Sequence, residues 1–148
     1  MNVNQKGVVG LVKVISDLVS RGYEVFTPIS DFCPVDIIVA DSKMNLRRIQ
    51  VKYREHDNRN KNAIVVQLDS IVNGKRVPVD VSLIDGWAIY FPETNEIYYV
   101  PKSEVQGRSI WLCIREYKLR RNKLASKFLD PDRIFGEAIQ QLAMESGC

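Results

Sequence analysis

Near the start of the chain, Val8, Leu11, Val12, Ile15, Leu18 and Val19 recur with a 3-4-3 spacing. That period predicts a helix over residues 7–21 with one buried stripe. Gly22, just after Arg21, is placed to end it. The pattern then changes to short apolar runs. YEVFT at 23–27 reads as a strand before Pro28, and VDIIVA at 35–40 as a second. Asp41, Ser42, Lys43 and Asn45 supply a turn, and 46–54 form the next strand. AIVVQL at 63–68 follows.

Asn73-Gly74 is a strong two-residue turn signal and predicts a hairpin near 69–80. Pro78 cannot donate to a ladder, so the hairpin belongs at the periphery. WAIYF at 87–91 and EIYYV at 96–100 pair across a four-residue turn and are apolar enough to sit centrally. Residues 109–114 add a candidate strand. Asp130 as N-cap and Pro131 at the first helical position predict a C-terminal helix over about 131–144. Its apolar face is Ile134, Phe135, Ala138, Ile139 and Leu142, and Phe135 with Ile139 forms a candidate subunit-interface stripe. Trp87, Tyr90, Phe91, Tyr98 and Tyr99 are expected in the core and subunit interface. No repeat or linker interrupts the series, so 1–148 reads as one domain. Helix, strands, then helix implies an α/β fold with a central mixed sheet flanked by helices.

Composition narrows the function. The 148 residues suit one domain, and 45% hydrophobic with 26% charged residues predicts a packed core. No apolar run approaches the roughly 18–20 residues of a membrane span, and the polar N-terminus lacks a signal-peptide core. A cytoplasmic protein without a membrane partner is expected. Cys33, Cys113 and Cys148 are widely spaced, and His56 is the single histidine. This argues against a zinc site, a disulfide framework and histidine-based triads. The net charge of +3 permits a nucleic-acid partner without requiring it. Two basic clusters say more: Arg47, Arg48, Lys52, Arg54, Arg59 and Lys61, then Arg115, Lys118, Arg120, Arg121, Lys123 and Lys127. Together they favour a polyanion.

The strand at 46–54 carries an unusual polar set. Alternation puts Arg48, Gln50, Lys52 and Arg54 on one face and Ile49, Val51 and Tyr53 on the other. Pairing across the short turn brings Asp36 near Gln50 and Lys52. This is either a solvated sheet face or a metal site for phosphodiester cleavage. In the second reading, Asp36 supplies a carboxylate, Gln50 an amide oxygen and Val51 a backbone carbonyl to a magnesium ion. Lys52 orients water or stabilises the charge that develops on phosphorus.

PVD at 34–36 with QVK at 50–52, behind a helix opening KGVVG, resembles the PD-(D/E)-XK nuclease superfamily. DGWAIYFPETNEIYYVP at 85–101 further resembles its compact bacterial branch, which includes the cyanobacterial group I intron homing endonuclease. The resemblance implies a restriction-endonuclease-like core with Asp36 as the metal-binding aspartate, Gln50 in place of the usual acid and Lys52 as catalytic lysine. It implies Mg2+, with Mn2+ or Ca2+ able to occupy the site. It also implies a long, roughly palindromic duplex DNA target, and a homodimer at least, with a tetramer plausible.

One position departs from that pattern. The family usually has G-x-x-G-E in the first helix, where the Glu joins the metal site, but here Leu11 follows Gly10. Slow or absent cleavage is therefore expected. Asp17, Glu24 and Asp31 do not stand at the matching position. Candidate DNA contacts are Arg47, Arg48, Arg54, Arg59, Lys61, Gln67, Asn73, Lys75, Arg76, Arg120, Arg121 and Lys123. Base readers and phosphate contacts are not separable from sequence. Alternatives are a non-cleaving DNA-binding protein on the same scaffold, and a junction-resolving or repair nuclease.

Overall fold

The computed structural model describes residues 1–30, 32–78, 80–114 and 123–136. Its first element is helix α1, Val3–Ser20. The strands are β1 Glu24–Phe26, β2 Ile37–Ala40, β3 Leu46–Tyr53, β4 Ala63–Gln67 and β5 Asp69–Val72. They continue with β6 Lys75–Pro78, β7 Gly86–Phe91, β8 Glu96–Pro101, β9 Ser109–Cys113 and β10 Lys123–Leu124.

Helix α1 begins four residues before the expected start. Asn2 and Gln5 form a reciprocal capping box: Asn2 Oδ1 accepts from Gln5 N–H at 2.8 Å, and Gln5 Oε1 accepts from Asn2 N–H at 2.9 Å. The polar first turn lies outside the apolar period, which is why the period misplaces the start. The buried stripe also differs from the expected one. Gly10, Val14 and Leu18 are buried, whereas Val8, Val12 and Val19 are exposed. Leu11 and Ile15 are half-buried and pack on the core beneath α1. The contact with β3 sets this rotation. At Gly10 a Cβ would lie 3.3 Å from Tyr53 Cβ, so the helix crosses the sheet closely there.

The main sheet has the order β1-β2-β3-β7-β8. All its pairs are antiparallel except β3 with β7, which run parallel, so the sheet is mixed as expected. Strand β7 lies inside the sheet, but β8 lies at its edge rather than centrally. Its aromatic side chains are nonetheless buried, because 3-10 turns at Ala125–Phe128 and Pro131–Phe135 pack against it. A second sheet, β10-β9-β4, covers the opposite face. The Asn73-Gly74 hairpin forms a separate β5–β6 ribbon, with positive φ at both turn residues, and is peripheral as anticipated.

Alternation along β7 divides the interior into two clusters. Trp87, Ile89 and Phe91 join Ile64, Val66, Ile110, Leu112 and Phe128 between the sheets. On the other face Ala88 joins Val14, Leu18, Ile37, Ile49 and Tyr99 beneath α1. Trp87, Tyr90, Phe91, Tyr98 and Tyr99 are all core residues.

At the C-terminal end Asp130 is the expected N-cap, accepting from Asp132 N–H at 2.9 Å, with Pro131 following. The first turn is 3-10 rather than α-helical, and the rest of the expected helix, 137–144, lies outside the described residues. Phe135 does not form an exposed interface stripe. It is buried, stacked on Tyr23 at 5.8 Å, with the Arg47 guanidinium over its ring at 5.2 Å. Among the described residues, no helix is long and apolar enough to cross a membrane.

Candidate active site

The register of β2 on β3 pairs Ile37 with Ile49. One residue earlier, Asp36 N–H donates to the Ile49 carbonyl at 3.0 Å. Regular pairing stops there, and the Asp36 side chain continues it: Oδ2 accepts from Val51 N–H at 2.6 Å. The N–H and C=O of one strand residue point to the same side. The Val51 carbonyl is therefore directed to the strand edge that faces Asp36.

Lys52 is the next residue on β3. Burial pushes the Asp36 carboxyl above its usual range, and the Val51 N–H and the Lys52 charge oppose this in part. Burial lowers the Lys52 ammonium, Arg54 lowers it further, and Asp36 opposes the shift. The carboxylate and the ammonium are thus partly desolvated and electrostatically coupled.

Gln50 is held at both ends. Its Oε1 accepts from the Trp87 indole N–H at 3.2 Å, and its Nε2 donates to the Pro34 carbonyl at 3.3 Å. The indole can only donate and the carbonyl can only accept, so the two partners agree on one amide orientation. This leaves Oε1 one further lone pair. Sequence reasoning finds Gln50 but misses Trp87, because the parallel pairing that sets Gln50 beside Trp87 has no local signature.

Beside Lys52 opens a cleft of about 470 Å³, bordered by Lys6, Gly7, Arg54, His56 and Asn58. Lys6 Nζ lies 3.2 Å from Glu55 and over the Tyr53 ring. His56 Nδ1 contacts Glu93. Lys6, His56 and Asn58 were not among the sequence candidates. Lys6 was recoverable, because it lies one helical turn before Gly10, where α1 meets the strand carrying Lys52.

Leu11 sits one residue beyond that crossing and packs against the core beneath α1. Asp17 does not replace a carboxylate there: it accepts from the Tyr99 hydroxyl at 2.5 Å and from Arg21 Nε at 3.1 Å. Glu24 lies on β1, and Asp31 lies outside the described residues. Among the described residues, no three His, Cys, Asp or Glu side chains gather as a metal-binding group.

The family model described as PD-(D/E)XK endonuclease matches residues 1–130. The chain belongs to that endonuclease family. Its fold is similar to that of the bacterial homing endonuclease I-Ssp6803I, with 21% identity, a TM-score of 0.70, and coverage of 99% of this chain and 97% of that one. A weaker likeness, at 13% identity and a TM-score of 0.48, is to Hjc, a Holliday junction resolvase from Archaeoglobus fulgidus. It covers 73% of this chain and 84% of that one. No curated protein sequence matches the chain.

The donors of this endonuclease-family chain suit a hard divalent cation in kind. The Asp36 carboxylate, the Val51 carbonyl and the remaining lone pair of Gln50 are all oxygens. Only one of the three carries charge, which points to weak binding.

The basic candidates fall into distinct settings. Arg47 Nε donates to the Ile134 carbonyl at 3.1 Å. Arg48 grips Asp85 through Nε and an Nη, each at 3.0 Å. Both therefore tie elements of the fold together. Arg54 borders the cleft, half-buried, and donates to the Tyr53 carbonyl at 2.8 Å. Arg59, Lys61 and Gln67 are exposed, as are Asn73, Lys75 and Arg76 on the ribbon. Lys123 pairs through its backbone in β10. Arg120 and Arg121 lie outside the described residues.

Proposed function

We propose that this chain is a site-specific double-strand DNA endonuclease of the intron-homing type, slowed by Leu11. The observation that carries the reading is the junction of Asp36 with Val51 beside Lys52. A partly desolvated carboxylate, a directed carbonyl and an ammonium meet where β2 leaves β3. Asp36, the Val51 carbonyl and Gln50 Oε1 would hold Mg2+, and Mn2+ or Ca2+ suits the same donors. When bound, the ion supplies positive charge to the scissile phosphate and acidifies a water molecule.

The chain's own groups then have separate tasks. Lys52 offers an N–H donor and charge to the phosphate oxygens as negative charge builds on them. The Asp36 carboxylate is fixed by the Val51 N–H and cannot swing away. Lys6 and Arg54 border the cleft where a phosphodiester backbone would lie. Duplex DNA is the partner, and cutting both strands takes two sites, hence a homodimer at least, a plausible tetramer and a roughly palindromic target.

The second reading, a DNA-binding protein that does not cleave, is favoured by one observation. Leu11 makes apolar contacts where the family pattern has a carboxylate. Incubation with a randomised duplex library and Mg2+ or Mn2+ separates the readings. Under the endonuclease reading Leu11→Glu raises cleavage, and Lys52→Ala removes it while DNA binding persists. No cleavage by either the wild type or Leu11→Glu, with salt-sensitive binding retained, supports the non-cleaving scaffold.

A further inference from the structure

The segment between β1 and β2 leads directly to Asp36 and carries two large apolar side chains, Ile29 and Phe32, that are fully exposed. Next to them lies a cleft of about 350 Å³, lined by Phe26, Pro28, Pro34, Val35, Ile38 and Leu83. Phe26 and Leu83 are themselves close to half exposed. A protruding aromatic thus stands beside an apolar recess that it does not line, although Cys33, the next residue, does.

We propose that two copies of the chain join at this patch, each seating Phe32 in the apolar cleft of the other. The inference rests on the endonuclease reading, which needs two sites per duplex. The patch favours a second copy for three reasons. A two-fold interface requires a self-complementary surface, and a knob adjoining the recess built by β1, β2 and the turn at Leu83 meets that requirement. Among the described residues the recess is electrostatically quiet, since the one charged residue bordering it, Arg48, is already bound to Asp85 at 3.0 Å. Among the described residues lining it, a polyanion would find no free cation. The apolar area is also of the right order. A buried aromatic removes roughly 150–250 Å² from water, and Ile29, Phe26 and Leu83 extend the patch towards the roughly 800 Å² per partner of a stable interface. Because the segment runs into Asp36, such a pairing ties the spacing of the two sites to the interface.

Analytical ultracentrifugation of the full chain without DNA tests the association. The wild type is expected to be a dimer at micromolar concentration. Phe32→Ser, and separately Leu83→Glu, weaken association by roughly thirty-fold or more, as for loss of a buried anchor, with unchanged circular dichroism. A photo-cross-linking residue at position 32, in a mixture of isotopically light and heavy chains, is expected to form light–heavy links to the region of Leu83 or Phe26. A monomeric wild type, a dimer insensitive to both substitutions, or cross-links elsewhere overturns the proposal. The readout is independent of nuclease activity. A monomer that cuts DNA refutes the surface alone, and a dimer of the expected kind that never binds DNA refutes the endonuclease reading alone.

Discussion

Trp87 donates its indole N–H to Gln50 Oε1 at 3.2 Å, and the other end of the same amide donates to the Pro34 carbonyl. Gln50 is therefore a brace as well as a candidate ligand. It links β7 to the segment that delivers Asp36. Gln50→Glu puts a second carboxylate in the site but replaces the Nε2 donor with an oxygen facing the Pro34 carbonyl. The expected outcome is tighter Mn2+ binding by calorimetry together with a stability loss of about 1–3 kcal/mol in urea unfolding. Gln50→Glu without tighter binding would remove position 50 from the ligand set.

The close approach of β7 and β8 gives a second expectation. A Cβ on Gly86 would stand 3.0 Å from the Val100 carbonyl oxygen and 3.3 Å from Ile49 Cδ1. The carbonyl belongs to a paired strand and cannot turn aside. Gly86→Ala should cost about 1–3 kcal/mol, read as a fall in melting temperature of roughly 2–4 °C per kcal/mol for a domain of this size. Gly74→Asn, at the ribbon turn, is a contrasting control: φ is +76° there, but no atom lies within 4 Å of an added Cβ.

Asp85 predicts an acid limb of the stability curve. Burial alone would raise its carboxyl, but hydrogen bonds from the Arg48 guanidinium and backbone N–H outweigh this and hold it below the usual range. A carboxyl depressed in the folded state stabilises the fold above its unfolded pKa of about 3.9. That contribution fades as pH falls through the lower folded value. Wild type minus Asp85→Asn stability should be constant from neutral pH to about pH 5 and shrink below about pH 4. A difference that grows in acid would contradict the assignment.

The exposed β5–β6 ribbon offers a separable test of DNA binding. Lys75 and Arg76 stand exposed on β6, with Arg76 only loosely paired to Asp69 at 3.6 Å. Replacing both with Ala should leave unfolding unchanged. It should flatten the slope of log K against log salt by about 1–2 if both contact phosphates. An unchanged slope would place the ribbon away from DNA.

Sequence pattern made the local parts legible. Asn73-Gly74, Asp130-Pro131 and the turn between β7 and β8 each have a short-range cause, and each element begins where that cause predicts. Asp36 and Lys52 were legible because a short turn and strand alternation suffice to bring them together. The Trp87 brace was not, since it depends on a parallel pairing across residues 54–85. Nor could periodicity choose which apolar arc of α1 faces the sheet. Val8 and Val14 are equally hydrophobic, and the choice is made by the close fit of Gly10 on Tyr53.

That parallel pairing also orders events in time. Strand β3 carries the chemistry, but its partner β7 arrives only after the whole of residues 54–85 has been made and looped back. Closing such a loop costs entropy before any contact repays it. A growing chain that has not reached Trp87 has Asp36 and Lys52 but nothing to hold Gln50 on the β7 side. On the ribosome, the site is therefore completed late, after its own reactive residues have left the tunnel.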